Sequence, residues 1–361
     1  MTEVLVYQLG SLGDTIVTVP VYRAIRRHFG PSARIRVLHN VPQGMKATPM
    51  GVLEGTDLVD GAMAYTQYSG RLAPRTALSL AATILSARPD AIVCAAPGER
   101  TEAQISRDRK FFGMCGVRKL YGFHAAKATG TGVRGRARSV HESVMRLNRL
   151  PLDGISIVAE DLRTPLLFPP EAESRKARHW MTEHLVQSDR PKVAVCPGAN
   201  QQANRWPVDR FVEICRRLVD SGYDPIVIGG PADVDDGQSL LSGCGAGASA
   251  AGQFSVMGSA ALIQECDFLV GLDTGTTHLA AAMGVPAVAL FGDRNPVGQW
   301  EPMGDNHRIV RMAVPCGGCR KAVCPVAGHP CMSLVTVDSL WSEILLSPGY
   351  QARRVTATVG Q

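Results

Sequence analysis

The chain has 361 residues, of which 45% are hydrophobic and 19% charged, with a formal net charge of +6 and ten cysteines. That length asks for two cores rather than one, and the composition is that of a globular chain, not a disordered one. No apolar run reaches the ~18 residues of a membrane-spanning helix. The N-terminus enters a strand-like stretch, Val4–Leu9, without a basic region and cleavable apolar core, so a cytoplasmic protein is expected.

The charge is unevenly spread. Residues 1–150 hold 21 Lys/Arg against 10 Asp/Glu, whereas the remainder is net acidic. A basic half suits an anionic partner, or is simply a solvated basic face. Six cysteines stand singly in apolar context and read as buried reduced thiols.

In chain order, Val4–Leu9 predicts a strand and residues 14–29 a helix, followed by a strand at 35–38. A helix at 76–87 leads into a strand at 91–95, and 106–114 is again helical. Residues 125–139 are rich in Gly, Ala, Thr and Arg without apolar periodicity. They predict a mobile loop carrying Arg134, Arg136 and Arg138. Three prolines within Thr164–Glu171 mark a linker. Beyond it, helices at 172–185, 208–221, 259–265 and 276–283 alternate with strands at 193–196, 225–228, 268–270 and 287–291, and a last amphipathic helix spans 337–346. Such alternation builds parallel sheets. The expected fold class is α/β, with two Rossmann-like domains (1–165 and 166–361) facing across a cleft, where open α/β sheets take ligands at the carboxyl ends of their strands.

Three strand–loop–helix corners carry the chemistry. The first, Leu9–Pro20, contains Gly10, Ser11 and Gly13, whose glycines allow a tight turn and close backbone approach. Asp14 at the helix start is either a cap or a base. It is no dinucleotide fingerprint, because the three-glycine spacing and the later acidic residue are missing. The second corner, Cys196–Pro207, is a polar loop able to cradle phosphate, with Arg205 as either its cation or a surface residue beside Trp206. The third runs from Asp267 to Pro286. A short strand ends in Asp273-Thr274-Gly275-Thr276-Thr277, and a helix carrying His278 begins at once. Hydroxyls and free N–H groups meet there at a helix N-terminus, which suits a pyrophosphate; a capped helix with His278 in the core is the bland alternative. Cys316-X2-Cys319-X4-Cys324-X6-Cys331 could hold structural zinc or an iron–sulfur cluster, or be reduced thiols in a compact loop.

These corners, in this order, resemble the heptosyltransferase family, glycosyltransferase family 9. The likeness lies in Gly13-Asp14 with Pro20, in Pro197-Gly198-Ala199 with Trp206-Pro207, and above all in Asp273-Thr274-Gly275 with His278 and Pro286. Gln8 departs from the arginine often found there, and Asn204 occupies the place of a phosphate-contacting lysine, with Arg205 displaced by one. The resemblance implies a glycosyltransferase-B fold whose last helix, about 336–347, packs back on the N-terminal domain. It implies inverting, cofactor-independent transfer of a heptose from a nucleotide-diphosphate donor, ADP-heptose, to a lipopolysaccharide-core or other glycan acceptor. Asp14 would be the base, Gly10, Ser11 and Gly13 the acceptor-side loop, and Arg205, Asp273, Thr274, Gly275, Thr276 and His278 the donor site. An anionic glycolipid acceptor implies peripheral association with the inner membrane. A sugar-nucleotide epimerase on the same scaffold and a non-catalytic binder of anionic ligands are the alternatives. With 6% aromatics and no recognisable motif, nucleic acid is not an expected partner.

Overall fold

The computed structural model describes residues 1–41, 48–67, 73–126, 132–133, 136–137, 139–185 and 189–352. The chain divides into two compact units, Met1–Arg163 and Thr164–Gln361.

The first unit runs β1 (Glu3–Gln8), α1 (Leu12–Phe29), β2 (Arg34–Val41), the single turn α2 (Met50–Leu53), β3 (Gly61–Thr66), α3 (Ala73–Ala87), β4 (Ala91–Cys94), α4 (Glu102–Met114) and β5 (Lys119–Tyr121). Two-residue strands β6 (Gly132–Val133) and β7 (Arg136–Ala137) pair antiparallel, and α5 (Glu142–Leu147) follows. The five main strands form a parallel sheet in the order β3-β2-β1-β4-β5. Val4, Leu5 and Val6 of β1 and all of β4 have no exposed surface, as parallel strands covered on both faces require. Leu5, Tyr7, Ile92 and Cys94 pack with Leu80 and Ile84 of α3 and with Ile105 and Phe112 of α4, so these two helices cover one face. The segment expected as a plain loop at 125–139 thus contains the β6–β7 pair. Arg136 lies on β7, while Arg134 and Arg138 fall outside the described residues.

The second unit runs α6 (Glu171–His184), β8 (Lys192–Cys196), α7 (Val208–Asp220), β9 (Asp224–Val227), α8 (Val234–Cys244), β10 (Ala248–Ser249), α9 (Val256–Gln264), β11 (Phe268–Leu272), α10 (Gly275–Ala282), β12 (Ala287–Leu290), β13 (Arg308–Val310), the short α11 (Pro330–Ser333) and α12 (Val337–Leu345). Its six strands are parallel, in the order β10-β9-β8-β11-β12-β13. Helix α7 shows why the element forms. Phe211, Ile214, Cys215 and Leu218 recur at helical spacing, all fully buried, while its other face is largely polar.

Both sheets reverse direction once. The chain builds outward from β1 through β2 to β3, then restarts on the other side of β1 with β4; likewise it moves from β8 to β10, then restarts beside β8 with β11. At such a point two neighbouring loops diverge at the carboxyl edge and leave a crevice. All three corners singled out in the sequence follow strands at these two points: β1 in the first sheet, β8 and β11 in the second.

Leu340 and Ile344 of α12 enter the core of the second unit, with Phe211 and Ile214 of α7 and Val288 and Leu290 of β12.

Phe268 at the start of β11 is fully buried and meets the rings of Tyr223 and Tyr350 at 5.5 and 6.3 Å. Phe268→Ala should destabilise the second unit by about 3–5 kcal/mol, read as a lower denaturant midpoint for that unit. An unchanged midpoint would contradict this core assignment.

Candidate functional site

In the first unit, Gly10 leaves β1 with φ +117°, in the region reserved for glycine. A Cβ placed there would lie 2.1 Å from the Asp14 carboxyl carbon, so glycine is also what lets the turn close over that carboxylate. Asp14, in the first turn of α1, accepts the Ser11 backbone N–H on Oδ2 at 2.8 Å. That is the return arm of a capping box. Its other oxygen, Oδ1, accepts Nη2 of Arg146 at 2.9 Å. The carboxylate is 16% exposed.

Arg146, on α5, has no exposed surface. Its Nε donates to Glu142 Oε1 at 2.8 Å and its Nη1 to the Asp14 carbonyl at 3.2 Å and to Thr18 Oγ1. Burial alone would lower the guanidinium pKa; the Glu142 and Asp14 carboxylates outweigh it and hold it above its ordinary value. Glu142, itself fully buried, also accepts the Gly98 N–H at 2.5 Å, from the loop after β4. Arg149 secures the same loop by donating to the carbonyls of Ala96, Pro97 and Gly98 at 2.7, 3.0 and 3.0 Å. Loops after β1 and β4 are thus tied together at the switch point through one buried ion triad. Gln8 lies beneath it, donating to Thr15 Oγ1 at 2.7 Å and accepting from the Tyr22 hydroxyl, so the residue at this departure from the family is a buried structural amide.

In the second unit, Asp273 ends the β11 corner, and Asn295 Nδ2 approaches its Oδ2 at 3.5 Å. Burial pushes its carboxyl up to about 6, against the lowering effect of Arg294, Arg311 and the neighbouring amides. Thr274 and Thr276 hydroxyls are bonded to each other at 2.8 Å, and Thr277 Oγ1 donates to the Leu272 carbonyl at 2.6 Å. Thr274 is the cap residue of α10 yet makes no side-chain cap bond. The first N–H groups of a helix have no partner inside it, so the turn at Gly275 and Thr276 presents backbone donors and the positive dipole end to the carboxyl edge. His278 is buried in the first turn of α10, its ring 6.3 Å from that of Trp300.

The β8 corner meets this one through Asn204. Its Nδ2 donates to the Asp273 carbonyl at 2.7 Å, and its Oδ1 accepts from Arg294 Nη1 at 3.3 Å. Arg294 also donates to Gln201 Oε1 and to the Arg320 carbonyl. Asn204 and Arg294 are buried; Arg205 is exposed, with Nε bonded to the Ala199 carbonyl at 2.9 Å. Of the two neighbours, Asn204 is the one joined to the Asp273 corner, and the buried cation nearby comes from Arg294, after β12.

Cys316, Cys319, Cys324 and Cys331 are free thiols that line one cavity with His329 and Arg294. His329 Nε2 lies 3.1 Å from the Ala203 carbonyl and Cys324 N donates to Gln202 Oε1, so the cysteine loop braces the β8 corner. Among the described residues no group of three or more His, Cys, Asp and Glu side chains is placed to hold a metal ion.

Arg146, Glu142 and Arg294 escaped the sequence reading. Arg146 lies 132 residues from Asp14 and Arg294 lies 90 from Asn204. A local pattern carries no signal for such partners; the only hint was the i, i+4 spacing of Glu142 and Arg146.

Two outcomes follow. Arg146→Met removes the cation that faces the buried Glu142 carboxylate, and should cost about 3–5 kcal/mol; adding Glu142→Leu should restore much of it in a denaturant-unfolding cycle. Equal losses in the single and double variants would contradict the pairing. For Asp273 the folded pKa is raised, so between the unfolded value near 3.8 and the folded value near 6 the folded state holds more protons. Stability should fall as pH rises through that window, by up to about 3 kcal/mol, and Asp273→Asn should remove that part of the slope.

Residues 154–329 match the model of glycosyltransferase family 9 (heptosyltransferase). Lipopolysaccharide heptosyltransferase 2 of Escherichia coli (strain K12) is 28% identical over 198 residues, which cover 53% of this chain and 57% of that protein. The match therefore spans little more than half the length of this relative. Among solved structures, the glycosyl transferase family 9 protein from Veillonella parvula superposes with a TM-score of 0.70 at 19% identity, covering 96% of both chains. E. coli ADP-heptose lps heptosyltransferase II gives 0.65 at 21% identity, covering 96% of this chain and 98% of that one. At these identities the likeness is one of fold: two parallel-sheet α/β units of the glycosyltransferase-B type. The segment similar to glycosyltransferase family 9 (heptosyltransferase), residues 154–329, thus contains the second and third corners, while the first corner lies outside it.

Proposed function

We propose that the chain is an inverting glycosyltransferase that moves a heptose from a nucleotide-diphosphate donor, ADP-heptose, to a hydroxyl of a lipopolysaccharide-core acceptor at the cytoplasmic face of the inner membrane. The observation that carries this reading is the Asp273–His278 corner. It is a hydroxyl-rich helix N-terminus at a sheet's switch point, inside the segment that matches the family. The names of the similar proteins support the donor and acceptor classes. The basic excess of residues 1–150 suits a phosphorylated acceptor.

In this reading the donor's diphosphate lies against the backbone N–H groups of Gly275 and Thr276 and the hydroxyls of Thr274 and Thr276. Negative charge gathers on the leaving phosphate as the glycosidic bond breaks, and the dipole end of α10 stabilises it there. Asp273 accepts from sugar hydroxyls, His278 donates to a phosphate or sugar oxygen, and Arg205 adds positive charge from the rim. Asp14 takes the proton of the attacking hydroxyl. A carboxylate has about four acceptor positions, and the Ser11 N–H and Arg146 occupy two with good geometry, which fixes the group and leaves acceptor capacity for the substrate. Gly10, Ser11 and Gly13 form the loop on the acceptor side. The scheme calls for no cofactor.

The test is release of ADP from ADP-heptose in the presence of a deacylated acceptor. Asp14→Asn keeps the size of the side chain and an acceptor for the Ser11 N–H but cannot take up the proton. It should lower turnover about 10²- to 10⁴-fold with donor binding retained. Turnover equal to wild type would remove Asp14 as the base. Release of free nucleotide without any acceptor would favour the epimerase alternative.

A further inference from the structure

We propose that the outer face of α3 is a docking surface for an anionic lipid bilayer. Helix α3 covers the sheet with Leu80 and Ile84, which are buried in the core. A surface helix normally turns a charged face to solvent. This one does not: within Ala73–Ala87 the only charged residue is Arg75. Leu78 is 71% exposed and Leu85 is 60% exposed. With Arg75 and Ala82 they recur at 75, 78, 82 and 85, one helical stripe opposite the buried one, and all four are exposed.

The charge within the helix and its C-terminal turn is of one sign: Arg75 and Arg88 are exposed, and the first acids on either side are Asp60 and Asp90. Helix α4 covers the same face of the sheet and exposes Arg107, Arg109 and Lys110 against one exposed acid, Glu102 in its first turn. Its other acidic group, Asp108, is buried and paired with Arg100 and Arg107. Exposed leucines on a face where exposed arginine and lysine outnumber the acids fit the boundary between lipid headgroups and acyl chains, where the apolar face enters and the cations meet anionic phosphate. The same charge argues against a second copy as the occupant, since two such faces would set arginine against arginine. No described helix is long and apolar enough to cross a membrane, so the contact is a lateral one. The proposal extends the reading of a glycolipid acceptor by naming the surface that reaches it.

The experiment is co-sedimentation of the full chain with phosphatidylcholine vesicles with and without phosphatidylglycerol. Wild type should partition onto the anionic vesicles, more weakly as salt rises, and little onto the neutral ones. Leu78→Glu/Leu85→Glu should lose about tenfold or more in partitioning, and Arg75→Gln about fivefold. Thermal unfolding of each variant shows that the fold is kept, and Leu78→Ala/Leu85→Ala, which keeps helix propensity, should show a smaller loss in the same direction. No partitioning of wild type, equal partitioning onto neutral vesicles, or unchanged partitioning of the leucine variants would each overturn the proposal. So would wild-type self-association that the leucine variants abolish. Transfer to the deacylated acceptor should be unchanged in these variants, and it reports on the glycosyltransferase reading separately.

Discussion

A guanidinium with no surface exposed to water persists only where carboxylates and carbonyls meet it on every side. Arg146 is such a group, and the geometry of the first corner depends on it. Through one side chain, α5 grips the carboxylate and the carbonyl of Asp14, while Glu142 on the same helix holds the arginine and the loop after β4. Asp14 is therefore a helix cap whose carboxylate is also held in place by Arg146. Its Oδ2 does the capping and its Oδ1 is tied into the triad. The two readings of this residue in the sequence are compatible, because a carboxylate has two oxygens.

The second unit solves the same problem with other chemistry. Arg294 ties the β8 loop to the cysteine loop, and Asn204 passes the connection on to the Asp273 carbonyl. In each unit a buried arginine holds a corner in place: Arg146 joins the loops after the neighbouring strands β1 and β4, and Arg294 braces the β8 loop, whose Asn204 reaches the β11 corner. Rigid supports of this kind allow a site built on loops to keep its geometry.

The architecture was legible wherever local sequence suffices. A strand running into glycine and then a helix is contiguous, so all three corners could be read directly, and Phe211, Ile214, Cys215 and Leu218 mark α7 by their period alone. Much of what stayed hidden was short or distant, although the six-residue β3 was missed as well. Strands β5, β10 and β13 have two or three residues, too few for any pattern. Helix α8 contains Gly237, a poor helix former; a Cβ there would lie 2.6 Å from Ser249 Oγ, so close packing against β10 requires the glycine that disguises the helix. The Arg146 triad joins residues more than 120 apart, and nothing in either segment announces the other.

In the proposed reaction the two corners have distinct tasks: Asp14 takes the proton, and the N-terminus of α10 holds the donor diphosphate. Calorimetric titration of ADP into wild type, Asp14→Asn and Thr276→Val tests that division most directly. The account predicts binding to wild type, equal affinity in Asp14→Asn, and about tenfold weaker binding in Thr276→Val, the value of one lost hydrogen bond to a charged ligand. Weakening caused by the Asp14 change with none at Thr276, or no binding to wild type at all, would contradict it.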